Sequence, residues 1–325
     1  MPPRVTVVIA AYNAEKFVRS TVESVLAQSL ENIELIVVDD GSTDTTPEIL
    51  AAVSDRRLIV RRQENSGVSA ARNSGLALAH APYIFFLDAD DILLRCALFR
   101  MVATLDQMSQ HVACFAHHIR IGEDGSELST RADLRWKTFP NGDTLRNLIA
   151  KNFIVCGAIC LRTEAARAVG GFSPALKLGE DWEFWCRLAV LGDFTAMPDD
   201  VVLQYRQSFS SANYRLRNSP MRANFAAINA VFSNAVIRRK FSPTEFRRRR
   251  RLAEIDAFWT GARNEYVQDQ ATRFFRHVAI GAFLYPDSIL RPRLVYLFLR
   301  GLVQHLTRKH LPRNVHKLTN VAQPR

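Results

Sequence analysis

Over its first ninety positions the chain alternates short, near-continuous apolar runs with stretches whose apolar residues recur every three or four. Val5 to Ala10 reads as a strand buried on both faces, and Ile33 to Val38, Leu58 to Val60 and Tyr83 to Leu87 repeat that pattern. Between them, Glu15 to Ala27 places Phe17, Val18, Val22, Val25 and Leu26 on one helical face, and Val68 to Ala79 predicts a further helix. Thr45, Thr46, Pro47 and Glu48 look like a helix start, because proline is tolerated in a first turn and Thr45 with Glu48 has capping-box spacing. Strands that are apolar throughout and alternate with helices imply an α/β fold, a mostly parallel sheet covered on both faces. From Leu93 to Asp200 the pattern is more mixed. It predicts a helix near Leu94 to Leu105, strands near Val112 to Ile119 and Ile154 to Leu161, and a turn at Glu123 to Gly125. After Tyr214 the chain reads as helical to about His310.

Composition adds a core and a division of charge. The 325 residues, 48% hydrophobic, suffice for one large domain or for a domain with an appended module. No apolar run is long enough to span a bilayer, and Val5 to Ala11 leads directly into Tyr12 to Lys16 with no cleavage-type segment. The chain is therefore expected to fold from its first strand and to stay in the cytoplasm. The five cysteines, Cys96, Cys114, Cys156, Cys160 and Cys186, are odd in number and lack zinc-ligand spacing, which fits reduced core thiols. The net charge of +11 sits almost wholly in the last third: residues 215–325 hold 22 Lys and Arg against 6 Asp and Glu, while residues 1–214 hold 21 against 26. This asymmetry predicts two parts, 1–214 and 215–325, the second helical and facing anions. Arg247 to Arg251 would surround a helix completely, so part of that run must be solvated. Further on, Arg293, Arg300, Gln304 and Arg308 form a polar stripe among Leu294, Leu297, Phe298, Leu302 and Leu306. Such a helix suits an anionic membrane interface or packing on the first domain. Nucleic acid is excluded as the partner, since no recognition fold or base-stacking pattern accompanies the charge.

In open parallel sheets, ligands gather at the carboxyl ends of the strands. Here those ends carry Tyr12 and Asn13, then Asp39 and Asp40, then Asp88 to Asp91. In FFLDADD three carboxylates fall within four residues. Two unit charges about 4 Å apart repel by roughly 4 kcal/mol near a protein surface, so a cation is expected to offset them, a hard divalent metal being one candidate. A plainer role for Asp91 is to cap the helix that follows.

VTVVIAAYNAEKFVRSTVESVLAQSLENIELIVVDDGSTDTT, then NSGVSAARNSGLALAHAPYIFFLDADD, then GEDWEFWCRLA resemble glycosyltransferase family 2 over about Val5 to Leu203. The resemblance implies the Rossmann-like GT-A fold and an inverting, metal-dependent transfer of one sugar from a nucleotide diphosphate donor, with UDP the expected nucleotide. The acceptor it implies is a glycan or lipid-linked hydroxyl in cell-surface polysaccharide synthesis, reached from the inner face of the cytoplasmic membrane. It assigns Asp90 to Mn2+ or Mg2+ and Asp88 to the ribose and the metal shell. It assigns Asp40 to the base, Tyr12 to packing on it, Arg72 to the base or phosphates, and Ala10 to the same nucleotide-sugar site. Asp181 becomes the general base that deprotonates the acceptor hydroxyl, with Glu180 a neighbouring hydrogen-bonder. Asp39 is expected to support its turn and Asp44 to cap the next helix. Trp182 and Trp185 are open to a sugar-lining or a core role, core being favoured for Trp185. The pattern departs from the family in two places. Ala10 and Ala11 stand where a proline is common, and Tyr205-Arg206-Gln207-Ser208 lacks the usual histidine, leaving Arg206 to supply the phosphate-side contact. The Gln-x-x-Arg-Trp motif of processive synthases is absent, so one sugar per encounter is expected. The competing reading is a non-catalytic nucleotide- or glycan-binding protein on the same fold.

Overall fold

The computed structural model describes residues 1–130, 139–140, 142–207, 222–267 and 271–286. Its centre is an eight-stranded sheet. The strands are β1 (Val5–Ala11), β2 (Ile33–Asp39), β3 (Leu58–Arg62), β4 (Tyr83–Asp88), β5 (Ile92–Leu93), β6 (Ala113–Ile121), β7 (Ile159–Arg162) and β8 (Phe194–Arg206). They run in the order β3-β2-β1-β4-β7-β6-β8-β5. Pairs β1–β2, β1–β4, β2–β3 and β6–β8 are parallel, while β4–β7, β6–β7 and β5–β8 are antiparallel. Registers Ala10↔Val38 and Ala10↔Asp88 put the ends of β1, β2 and β4 side by side.

The helices are α1 (Val18–Leu26), α2 (Thr46–Ala51), α3 (Val68–Leu78), α4 (Ala97–Gln107), α5 (Thr144–Leu148), α6 (Thr163–Ala168), α7 (Glu180–Leu191), α8 (Arg222–Ser233), α9 (Ala235–Arg238), α10 (Pro243–Val267) and α11 (Ala271–Leu284). Alternate strand residues feed two cores, as a sheet buried on both faces requires. Val5, Val7, Ile9, Phe85 and Leu87 pack with Val18, Val22 and Val25 of α1 and with Leu98, Met101 and Leu105 of α4. Val8, Ile84 and Phe86 face the other way, among residues of α5, α6 and α7. That second core continues into Ala227, Ile228, Val231 and Phe232 of α8 and Ala253 of α10, so the start of the basic region packs on the sheet domain. Gly75 of α3 makes a close approach possible, because a Cβ there would collide with Val8 of β1.

Several expected boundaries move. The first helix starts at Val18 and not at Glu15, since the Phe17 and Val18 amides both donate to Ala14 O in a preceding turn. Thr45 forms no capping box with Glu48. Its hydroxyl donates to Glu15 instead, and Asp44 Oδ1 accepts the Thr46 N–H at 3.0 Å, the capping role expected of Asp44. The strand expected from Ile154 begins at Ile159, after a 3-10 turn at Cys156–Ala158. The turn at Glu123 to Gly125 is present, with Gly125 N–H donating to Gly122 O. All five cysteines are free, four of them buried and Cys96 exposed. The stripe from Arg293 to Arg308 lies outside the described residues.

Candidate active site

Side chains stitch the loops after β1 and β2 together. Asn13 takes a positive φ of 48°, which asparagine tolerates. Its amide donates to Ser42 Oγ at 3.0 Å and its Oδ1 accepts the Thr43 N–H at 2.8 Å. Glu15 accepts from the Thr45 hydroxyl at 2.8 Å, and the Ala14 N–H donates to Thr46 Oγ1 at 2.8 Å. On this fixed backbone Tyr12 is 51% exposed, a ring open to a stacking ligand. Asp39 supports the turn as expected, accepting the Ser42 N–H at 2.9 Å, and its other oxygen lies 3.5 Å from Arg62 Nε.

Asp40 is buried and held by the next loop. Its Oδ1 accepts from Gln63 Nε2 at 2.8 Å and the Ser66 N–H at 2.9 Å, and its Oδ2 accepts the Gly67 N–H at 2.8 Å. Ser74 Oγ donates to Gln63 Oε1 at 2.6 Å, which fixes the orientation of that amide. A carboxylate has about four lone-pair sites, so Asp40 keeps acceptor capacity on Oδ2.

Arg72 joins what the sequence leaves apart. It is 3% exposed on α3. Its Nη2 donates to Asp88 Oδ1 at 2.6 Å and its Nη1 to Glu180 Oε1 at 3.0 Å, linking the end of β4 to the start of α7. The guanidinium lies over the Phe172 ring, 5.0 Å from its centroid. The neighbouring Asn73 exchanges two 2.8 Å hydrogen bonds with the Phe172 backbone, which ties the loop before α7 to α3. Sequence reading missed Asn73 and Gln63, each a polar residue whose partner lies far along the chain.

Asp181 sits in the first turn of α7, where Gly179 as N-cap takes φ 74°. A Cβ on Gly179 would also lie 2.8 Å from Ala227 Cβ. Asp181 Oδ1 accepts the Trp182 N–H at 2.6 Å, and Asn152 Nδ2 lies 3.5 and 3.4 Å from its two oxygens. Burial and the adjacent Glu180 carboxylate push Asp181 up to about 7, against the pull of Arg72. A carboxylate so placed changes protonation near neutrality, as a general base requires. Trp182 is core, not sugar lining: its indole N–H donates to Leu148 O at 2.6 Å. Trp185 is core as favoured.

At the β4 end, burial and the Asp88 charge raise Asp90 to about 6. Asp91 is raised by burial and by both neighbouring carboxylates. Asp91 caps no helix. Its Oδ1 accepts the Arg206 N–H at 2.8 Å, while its buried Oδ2 has no hydrogen-bond partner. Arg206 donates from Nε to Asp90 O at 2.7 Å and from Nη1 to Gly122 O and Glu123 O, with Phe17 beneath it at 4.5 Å. These bonds suit a supporting role and turn Nε and Nη1 away from the phosphate contact expected of Arg206. Among the described residues no three His, Cys, Asp or Glu side chains converge into a metal cage. An ion completed by phosphate oxygens needs only one or two carboxylates. Asp90, beside the like charge of Asp88, offers a hard oxygen donor of that kind.

No helix among the described residues is long and apolar enough to cross a membrane. Over 225 residues the chain is 30% identical to the putative teichuronic acid biosynthesis glycosyltransferase TuaG of Bacillus subtilis, covering 68% of this chain and 82% of that one. Over 88 residues it is 44% identical to UDP-Glc:alpha-D-GlcNAc-diphosphoundecaprenol beta-1,3-glucosyltransferase WfaP of Escherichia coli, covering 27% of this chain and 35% of the relative. With Glycosyltransferase GlyA of Streptococcus pneumoniae it shares 43% identity over 90 residues, which is 27% of this chain and 13% of the relative's length. Among solved structures, S. aureus TarS 1–349 in complex with UDP-GlcNAc matches with a TM-score of 0.58 at 17% identity, covering 94% of this chain and 81% of that one. Mannosyltransferase PcManGT of Pyrobaculum calidifontis, in complex with GDP-Man and Mn2+, matches with a TM-score of 0.56 at 21% identity, covering 95% and 88%. These two likenesses show the fold, the GT-A sheet with its flanking helices. The family model described as Glycosyl transferase family 2 matches residues 6–170, and with 68% of this chain aligned to TuaG the chain belongs to that family.

Proposed function

We propose that this chain moves one sugar from a UDP-sugar to an acceptor hydroxyl of a growing cell-surface glycan, with inversion at the anomeric carbon. The observation that carries this reading is Asp181, raised to about 7 and set beside the Glu180–Arg72–Asp88 bridge. The names of TuaG and WfaP support a surface-polysaccharide role and a lipid-linked acceptor. The UDP-GlcNAc of TarS supports the nucleotide, and the Mn2+ of PcManGT supports the metal. In this reading residues 1–214 carry the chemistry, and residues 215–325 form the basic helical part that works at the inner face of the cytoplasmic membrane.

The base stacks on Tyr12, and the remaining acceptor capacity of Asp40 takes an N–H from its edge. Ala10, between Val38 and Asp88 in the sheet, leaves room for the ribose, which Asp88 binds. Arg72 fixes Asp88 and offsets the nearby negative charge. Asp90 holds the divalent cation, which supplies electrophilic stabilisation of the leaving diphosphate. Asp181 takes the acceptor hydroxyl proton as the oxygen bonds to the anomeric carbon. The bond from that carbon to the diphosphate oxygen breaks, and its electron pair leaves with UDP. A positioned base contributes about 10² to 10⁴ in rate. The test is nucleotide release from UDP-, GDP- and dTDP-sugars with Mn2+ or Mg2+, comparing the wild type with Asp181→Asn and Asp90→Ala. Release from a UDP-sugar, lost in both variants, is expected. Release from GDP-sugars alone would overturn the nucleotide assignment.

A further inference from the structure

The catalytic reading leaves the arginine-rich start of α10 unused. Every carboxylate of its described side chains is paired: Glu245 with Arg146 and Arg249, Glu254 with Arg250 at 2.8 Å, and Asp256 with Lys151 at 3.1 Å. Two of these pairs, through Arg146 and Lys151, fasten the helix to the sheet domain. Arg249 also donates to Arg146 O at 2.6 Å, and Arg250 donates to Asn229 Oδ1 at 2.9 Å. The exposed face is cationic. Arg247, Arg248 and Arg251 are exposed, and at about 100° per residue they fall within an arc of about 100°. Farther along, that same face carries Ile255 and Phe258, which pack against α11. The basic face is therefore the open end of a stripe that α11 covers elsewhere. Exposed Arg238 ends α9, and exposed Arg239 and Lys240 follow it shortly before this helix.

Exposed apolar side chains border this charge. Val236 is 55% exposed two residues before Arg238. The Arg251 guanidinium lies 5.8 Å from the Tyr285 ring centroid, next in the chain to Phe283 and Leu284, which are 85% and 47% exposed. Cations flanked by bare apolar side chains match a bilayer interface, where the charge meets headgroups and the apolar groups enter the acyl boundary. A nucleic-acid backbone would use the charge alone.

We propose that the face formed by Arg238, Arg239, Lys240, Arg247, Arg248 and Arg251, with Val236, Phe283 and Leu284 at its edge, docks the protein on an anionic lipid bilayer. The assay needs neither donor nor acceptor, so its failure leaves the catalytic reading standing. Each basic residue against an anionic surface strengthens partitioning about fivefold. Full-length protein is sedimented with vesicles of phosphatidylcholine containing 30% phosphatidylglycerol and with phosphatidylcholine alone. Binding is expected to the anionic vesicles only and to weaken as salt rises. It should fall at least 100-fold in R238Q/R239Q/R247Q/R248Q, whose four side chains are exposed, with melting temperature unchanged. Phe283→Ser should weaken binding in a salt-independent way. Equal binding of wild type and the quadruple variant would overturn the proposal. So would equal binding to neutral vesicles, or tighter binding to duplex DNA than to anionic vesicles at the same ionic strength.

Discussion

Replacing Arg72 by methionine removes the one cation shared by Asp88 and Glu180 while keeping an unbranched side chain of similar length. The Arg72 side chain is 4% exposed, and its partners are 24% and 14% exposed. Breaking a buried pair by deleting one partner costs about 3 to 5 kcal/mol, because the survivors stay desolvated and uncompensated. The partial exposure of Asp88 and Glu180 lets water relieve some of that, so about 3 kcal/mol is the expected loss. At roughly 2 to 4 °C per kcal/mol for a domain of this size, the melting temperature should fall by about 6 to 12 °C. Differential scanning fluorimetry in a chelating buffer reads this directly. Two further variants check the cause. Arg72→Lys keeps the charge without the fork that reaches both carboxylates, and should fall between the two. Arg72→Met with Asp88→Asn removes the stranded charge and should recover part of the loss. A melting temperature within 2 °C of wild type for Arg72→Met, or a double variant no more stable than the single, would refute the reasoning.

Raised to about 7, Asp181 should give a turnover that climbs through that pH and levels above it; Glu180→Gln removes the nearest like charge and should move the limb to lower pH, read as a pH–rate profile. For stability the sign is opposite: this carboxylate is most favourable when protonated, so its contribution is full below about 4, its unfolded range, and is lost as pH rises through about 7. Asp181→Asn should flatten that part of a stability–pH curve. Gly75→Ala forces a methyl into Val8 and should cost about 1 to 3 kcal/mol in urea unfolding. Arg206→Gln frees the carbonyls of Asp90, Gly122 and Glu123 and should weaken Mn2+-dependent UDP binding about tenfold by calorimetry, with a smaller effect without metal.

The apolar runs of β1, β2 and β4 were legible because both faces of those strands are buried, and a strand of that kind needs no partner to be recognised. The polar groups at their ends followed from the same reading. β8 went unseen, since Pro198, Asp199 and Asp200 interrupt it where its pairing with β6 shifts register. Asp181 was assigned through its motif, yet its elevated proton affinity depends on burial under elements distant in sequence. The bridge from Asp88 through Arg72 to Glu180 spans 108 residues at its longer arm, and no local pattern encodes such a contact. The motif position of Arg206 suggested a phosphate contact or a supporting role. Its bonds to the carbonyls of Asp90, Gly122 and Glu123 were not legible, because only the fold brings those loops to it.

The central claim is that Asp181 acts in proton transfer and the Asp40–Asp88–Asp90 side in holding the donor. Measuring UDP binding with Mn2+ and nucleotide release from the preferred UDP-sugar, side by side, separates the two. Asp181→Asn should bind UDP within about threefold of wild type while losing at least about 100-fold in release. An Asp181→Asn enzyme that keeps near wild-type release, or one that loses UDP binding as completely as Asp90→Ala, would contradict the account.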